Sequence, residues 1–273
     1  MKSIALGQYY PSNSLVHKLD GRTKILLATI FIIAIFFCKS LASFTFALAL
    51  TVFMVVLSRI PFRILFRSLR AITFILVFTF IINVFLTKGE GAPLIDWWIF
   101  EVYADGIWNA MFIAVRILCL ILASSVLISF TTTPIQLTYA IESLLSPLKR
   151  IKVPVHDFAM MMSIVLRFIP ALSEETEKIM TAQKSRGADF ESGSLLQRAK
   201  ALIPILIPLF VSAFRRSDEL ATAMECRCYH GGNGRTRMTI TKMKAIDFVF
   251  LGLMLVCVAI ICLLNIVDFG YVM

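Results

Sequence analysis

The chain of 273 residues is 59% hydrophobic and only 16% charged, with 23 phenylalanines and a mean hydropathy of +0.85. A water-soluble domain of this length would be about half apolar and about a quarter charged, so water is excluded as the main solvent and an integral membrane protein is implied. The formal net charge of +10 would suit nucleic acid or an anionic surface, but its placement along the chain is accounted for more simply by membrane topology.

Met1 to Asp20 has no apolar core followed by a small-residue cleavage site, so no removable signal peptide is expected. Ile25 to Leu57 is interrupted only by Lys39. As one helix it would be about 50 Å long, against a bilayer core of about 30 Å, which predicts two spans turning near Lys39 and Ser40. Lys2, Lys18, Arg22 and Lys24 precede this pair, and Arg59, Arg63, Arg67 and Arg70 follow it. By the positive-inside rule both flanks, and hence the N-terminus, are cytoplasmic. Ala71 to Thr87 is a third uncharged run. The loop from Lys88 to Gly106 carries Glu90, Asp96, Glu101 and Asp105 against one lysine, with Trp97, Trp98, Tyr103 and Trp108 as interfacial anchors. It should face outward. Ile107 to Phe130, interrupted by Arg116, makes a fourth span, and Phe248 to Val267 a fifth.

Thr131 to Lys244 is too long for a loop and too apolar for an ordinary soluble domain. Thr131-Thr132-Thr133-Pro134 reads as a helix start, with threonine at the cap and proline in the first turn. A short helix, about Pro134 to Ser146, is then set apart by Pro147 and Pro154. A second helix is expected at about Val155 to Gly187, apolar over Phe158 to Leu172 except for Arg167 and polar afterwards. A third, about Ser194 to Cys228, repeats the change after Phe214. Each apolar half is about 15 residues, short of the roughly 20 needed to cross. Pro170, Pro204 and Pro208 should bend or break these helices. The expected class is therefore all-α: about five transmembrane helices and a cytoplasmic domain of three amphipathic helices, two of them long and bent. Residues 1–130 form the membrane domain, 131–244 the cytoplasmic domain, and 245–273 the last span. The rival arrangement makes both apolar halves true spans. Residues 173–200 hold five basic and five acidic side chains, so charge asymmetry does not decide between them.

Both long helices end alike, in Ala182-Gln183-Lys184-Ser185-Arg186-Gly187 and Ala223-Met224-Glu225-Cys226-Arg227-Cys228, forty-one residues apart. Small neighbours let a partner surface reach a planar five-donor guanidinium, which suits a peg entering a groove on another protein. The plainer reading is an arginine complementing the helix dipole, with Gly187 a C-cap.

Several segments together resemble the transmembrane T subunit of energy-coupling factor (ECF) transporters, the EcfT and CbiQ-like family, a branch of the ABC importers. They are His17-Lys18-Leu19-Asp20-Gly21-Arg22-Thr23-Lys24, Arg116, Thr132-Thr133-Pro134, Arg167-Phe168-Ile169-Pro170 and the two arginine-centred ends. The resemblance implies a non-catalytic coupling subunit in a prokaryotic cell membrane. Ser185, Arg186, Gly187, Cys226, Arg227 and Cys228 would meet two cytoplasmic ATPase subunits, A and A′, with Arg186 and Arg227 as the docking residues. The membrane helices would hold a substrate-binding S subunit for vitamin or micronutrient uptake. No cofactor, metal or nucleic acid is implied for this chain, and ATP would be used by the partners. Family members usually flank the second arginine with alanine and glycine, where this chain has Cys226 and Cys228.

Other readings have less support. Cys226, Cys228 and His230 lack the usual Cys-x-x-Cys zinc spacing and an evident fourth ligand. The remaining cysteines, Cys38, Cys119, Cys257 and Cys262, are scattered through apolar runs as buried small hydrophobes would be. The histidines are dispersed and no phosphate-binding loop is present, which argues against an enzyme. The main alternative is a self-contained channel or secondary transporter, since Arg116 and Arg167 lie within apolar stretches. The plainer account has Arg116 capping a helix contact and Arg167 snorkelling to the interface. Met160, Met161 and Met162 read as soft helix packing.

Overall fold

The computed structural model describes residues 9–87, 95–97, 100–190, 192, 194–231 and 243–266. Eight α-helices carry the described residues: α1 Gly21–Phe37, α2 Leu41–Ser58, α3 Phe62–Leu86, α4 Ala104–Ser124, α5 Pro134–Leu144, α6 Val155–Ser185, α7 Leu195–Cys226 and α8 Ala245–Ile266. A π-helical turn, Ser125–Phe130, continues α4, and a 3₁₀ turn, Ser146–Ile151, follows α5. The all-α expectation holds for every long element. One addition is a short antiparallel pair, β1 Ile95–Trp97 with β2 Phe100–Val102, in register Ile95 to Val102. The expectations for Lys88, Glu90 and Trp98 fall outside the described residues.

The turn near Lys39 separates α1 from α2 as expected. α3 begins earlier than its uncharged run, because Phe62 to Arg70 joins the helix. The capping box at the start of α5 is present: the Thr133 amide donates to Gln136 Oε1 and the Gln136 amide to Thr133 Oγ1, both at 3.3 Å. A second box, between Ser194 and Gln197, starts α7. The internal prolines do not break the long helices. α6 runs through Pro170, and α7 through Pro204 and Pro208, for 31 and 32 residues.

Among the described residues, five helices are long and apolar enough to cross a membrane. The number matches the sequence expectation but the membership differs. They are α2, α4 with its π turn, α6, α7 and α8, while α1 has 17 residues and the apolar part of α3 is Ile72–Leu86. The long helices qualify on length and composition because they continue past the apolar halves that alone were too short.

The chain divides into two compact units, one within Glu142–Ile240 and the other within Gly7–Ile141 with Thr241–Met273. In the Gly7–Ile141 unit, Leu27, Ala28, Phe31, Ala34 and Ile35 of α1 pack with Phe44 and Ala47 of α2, Cys119 and Ala123 of α4, and Met254 and Ile261 of α8. Gly21 stands where α1 approaches α5 closely, since a Cβ there would lie 3.0 Å from that of Ala140.

Polar clasps tie this unit at two places. Lys24 is only 2% exposed and its Nζ donates to the Thr131 carbonyl at 2.7 Å. Asp247, also buried, accepts from the Asp20 amide at 2.9 Å and the Lys244 amide at 2.7 Å. The His17-to-Lys24 segment thus joins the start of α8 to the end of the π turn. At the turn between α1 and α2, Asn265 donates to the Phe37 carbonyl at 2.7 Å and accepts from the amides of Lys39 and Ser40. Arg116 donates to the Cys38 carbonyl at 3.1 Å and lies 5.1 Å from the Phe44 ring centre. Its charge thus has a partner within the bundle, as the plainer account expected.

Candidate coupling site

The six expected contact residues all belong to the Glu142–Ile240 unit, at the ends of α6 and α7. The two helices pack against each other, and the Arg216 guanidinium donates to Glu175 at 2.6 Å between them. Near the start of α6, His156 Nδ1 lies 3.0 Å from Glu142, a carboxylate only 4% exposed. Neither pair was singled out from the sequence, because each depends on which helix faces stand together.

The two helix ends are closed by the same set of hydrogen bonds. After α6, the Gly187 amide donates to the Lys184 carbonyl and the Ala188 amide to the Gln183 carbonyl, both at 3.0 Å. After α7, the Cys228 amide donates to the Glu225 carbonyl at 2.8 Å and the Tyr229 amide to the Met224 carbonyl at 3.0 Å. Each is a Schellman closure, which needs a left-handed residue just past the cap. Gly187 supplies it at φ +86° and Cys228 at φ +56°. Arg186 and Arg227 are therefore the cap residues themselves, with near-equal backbone angles of φ −87°, ψ 8° and φ −94°, ψ 17°.

This geometry joins the two readings of the sequence. Gly187 closes the helix from just past the cap, and the same closure holds an arginine where the helix stops. Ser185, Arg186, Gly187, Cys226, Arg227 and Cys228 are all exposed. Neither guanidinium has a partner among the described residues. Chemically, each end offers a fixed cationic fork with small neighbours, able to take a carboxylate or backbone carbonyls from another surface. Cys228 keeps the closure but places a side chain in a conformation that costs about 1–2 kcal/mol for an L-residue.

Among the described residues no group of three His, Cys, Asp or Glu side chains could hold a metal ion. Cys38, Cys119 and Cys257 are buried; Cys226, Cys228 and Cys262 are exposed, and all six are free. Arg167 is exposed, Met160 is half-buried, and Met161 and Met162 are 53% and 36% exposed.

Residues 12–240 match the family model of the cobalt transport protein CbiQ. The chain is 49% identical over 269 residues to the energy-coupling factor transporter transmembrane protein EcfT of Ruminiclostridium cellulolyticum, across 98% of this chain and 100% of that one. It belongs to the EcfT and CbiQ family. The protein of the same name from Clostridium kluyveri is 47% identical over 96% of this chain and 97% of its own length. That of Bacillus subtilis is 46% identical over 87% and 89%. Membership in this family, together with the apolar helices, makes the chain a multi-pass membrane protein of transport. Both arginine-centred ends lie within the span matched by the family model.

Proposed function

We propose that the chain is the coupling subunit of an ECF-type ABC importer in a prokaryotic cell membrane, with its N-terminus cytoplasmic. In this reading it catalyses nothing. Arg186 and Arg227 enter grooves on two cytoplasmic ATPase subunits, and α6 and α7 carry the ATP-driven motion to a substrate-binding S subunit that holds a vitamin or micronutrient.

The observation that carries the reading is the matched closure of the two helix ends, each setting at the cap an exposed arginine with no partner among the described residues. Long helices suit the mechanical part: at 1.5 Å rise, α6 and α7 each reach about 45 Å, enough to connect a cytoplasmic groove with the membrane.

Co-purification with the ATPase subunits tests it, comparing the wild type with Arg186→Ala, Arg227→Ala and the double variant. Each single variant should lose part of its bound ATPase, and the double variant both ATPases together with ATP-driven uptake. Retention of both ATPases and full uptake by the double variant would overturn the assignment. Substrate flux through vesicles holding this chain alone would overturn the coupling role itself.

A further inference from the structure

One surface of the Gly7–Ile141 unit has no role in the coupling reading. A groove is lined by Arg63, Phe66, Leu69, Arg70, Thr73 and Leu76 of α3, with Leu118 of α4. Arg63 and Arg70 are exposed and have no partner among the described residues, and Phe66 is 70% exposed. No acidic residue occurs anywhere in α3. The two arginines are seven residues apart, hence on one face and about 10 Å apart along the axis.

The groove changes character along its length. Its arginine end belongs to the basic flank that charge asymmetry assigns to the cytoplasmic interface. Its other end, at Thr73, Leu76 and Leu118, enters the uncharged run of α3 that continues to Leu86. A ligand must therefore present negative charge at the interface and a hydrocarbon tail within the bilayer. Arginine suits the first need, because its fork matches phosphate oxygens bidentately. Basic pockets between transmembrane helices on the cytoplasmic side are a known setting for anionic head groups.

We infer that this groove is a binding site for an anionic phospholipid of the cytoplasmic leaflet. Its phosphodiester lies between Arg63 and Arg70, and an acyl chain runs over Leu69, Leu76 and Leu118. A soluble phosphate would leave the apolar half uncovered, and a zwitterionic lipid would not satisfy both cations. The site is separate from the helix ends proposed for docking, so its test does not depend on them.

The test is native mass spectrometry of the purified full-length chain, titrated with phosphatidylglycerol or phosphatidylcholine. Phosphatidylglycerol should bind more tightly. At about 1 kcal/mol per basic residue near an anionic surface, R63Q/R70Q should weaken that binding about thirtyfold. R63K/R70K keeps the charge but loses the fork and should retain part of the preference. Leu118→Trp, which fills the groove without altering charge, should lower retention of phosphatidylglycerol as well. R198Q/K200Q on α7 should leave it unchanged, and inorganic phosphate should not displace the lipid. Equal binding of the two lipids would overturn the proposal. So would an unchanged R63Q/R70Q variant, an equal loss in R198Q/K200Q, or displacement by phosphate.

Discussion

The two units bury their helices to very different extents. α1 contributes seven buried residues to its unit, whereas α6 buries only Val155 and Ala159, and among the described side chains of α7 Ile205 is the buried apolar one. Leu202, Ile203, Leu206, Ile207, Phe210 and Val211 of α7 are each at least 44% exposed. A helix in water takes most of its stability from packing an apolar face. The first unit therefore carries its own packing and polar clasps, while α6 and α7 require lipid or partner surface to cover theirs. The first unit is held by its own contacts, and the second is left open to a covering surface.

Removing a clasp should give the largest intrinsic loss of stability. Lys24→Met keeps the volume but leaves the buried Thr131 carbonyl without its donor. The cost is about 2 kcal/mol, read as a drop of about 4–8 °C in the unfolding midpoint of the detergent-solubilised chain. An unchanged midpoint would mean that the clasp adds nothing to the fixed unit.

The same unit should be sensitive to acid through His17. Burial pushes its imidazole below the ordinary value of 6.5, with the Lys24 charge acting the same way and carbonyl hydrogen bonds opposing. Its Nε2 lies 2.9 Å from the Tyr10 carbonyl and its Nδ1 2.7 Å from Ser14 Oγ, an arrangement that suits the neutral ring. The folded chain then binds fewer protons than the unfolded one. Stability should be full above pH 6.5 and fall as pH drops through and below that value. Thermal unfolding followed from pH 8 to pH 5 checks this, and His17→Gln should flatten the dependence.

Smaller effects are expected where the second unit is exposed. Gly187→Ala meets no atom within 4 Å, so its cost comes from the left-handed backbone alone, about 1 kcal/mol at the end of α6. Cys228→Gly should act in the opposite direction, by about 0.5 kcal/mol, because relief of the same strain exceeds the extra entropy of glycine. Amide exchange at Ala188 and Tyr229 reports both changes. Smaller still, Glu175→Gln removes a partly exposed pair with Arg216 and should cost less than about 1 kcal/mol. A larger loss would make the second unit more self-supporting than its exposure implies.

The elements legible in the sequence were those set by near neighbours in the chain. The cap at Thr133, the turn at Lys39 and the ends of α6 and α7 follow from residues within a few positions of each other. The arginine-centred ends could be found for the same reason. The clasps could not, because Lys24 reaches a carbonyl 107 residues away and Asp247 an amide 227 residues away. The left-handed conformation at Cys228 had no residue-type signal of its own. The count of spans came out at five by a different route, since helix continuity past Pro170 and Pro208 is a property of the folded chain.

The most direct test of the coupling account places a photo-crosslinking residue at position 185 or 226 in the assembled transporter. The account predicts that each position joins this chain to a cytoplasmic ATPase subunit, one ATPase at each helix end. Crosslinks from both positions to lipid or to the S subunit, with none to an ATPase, would contradict it.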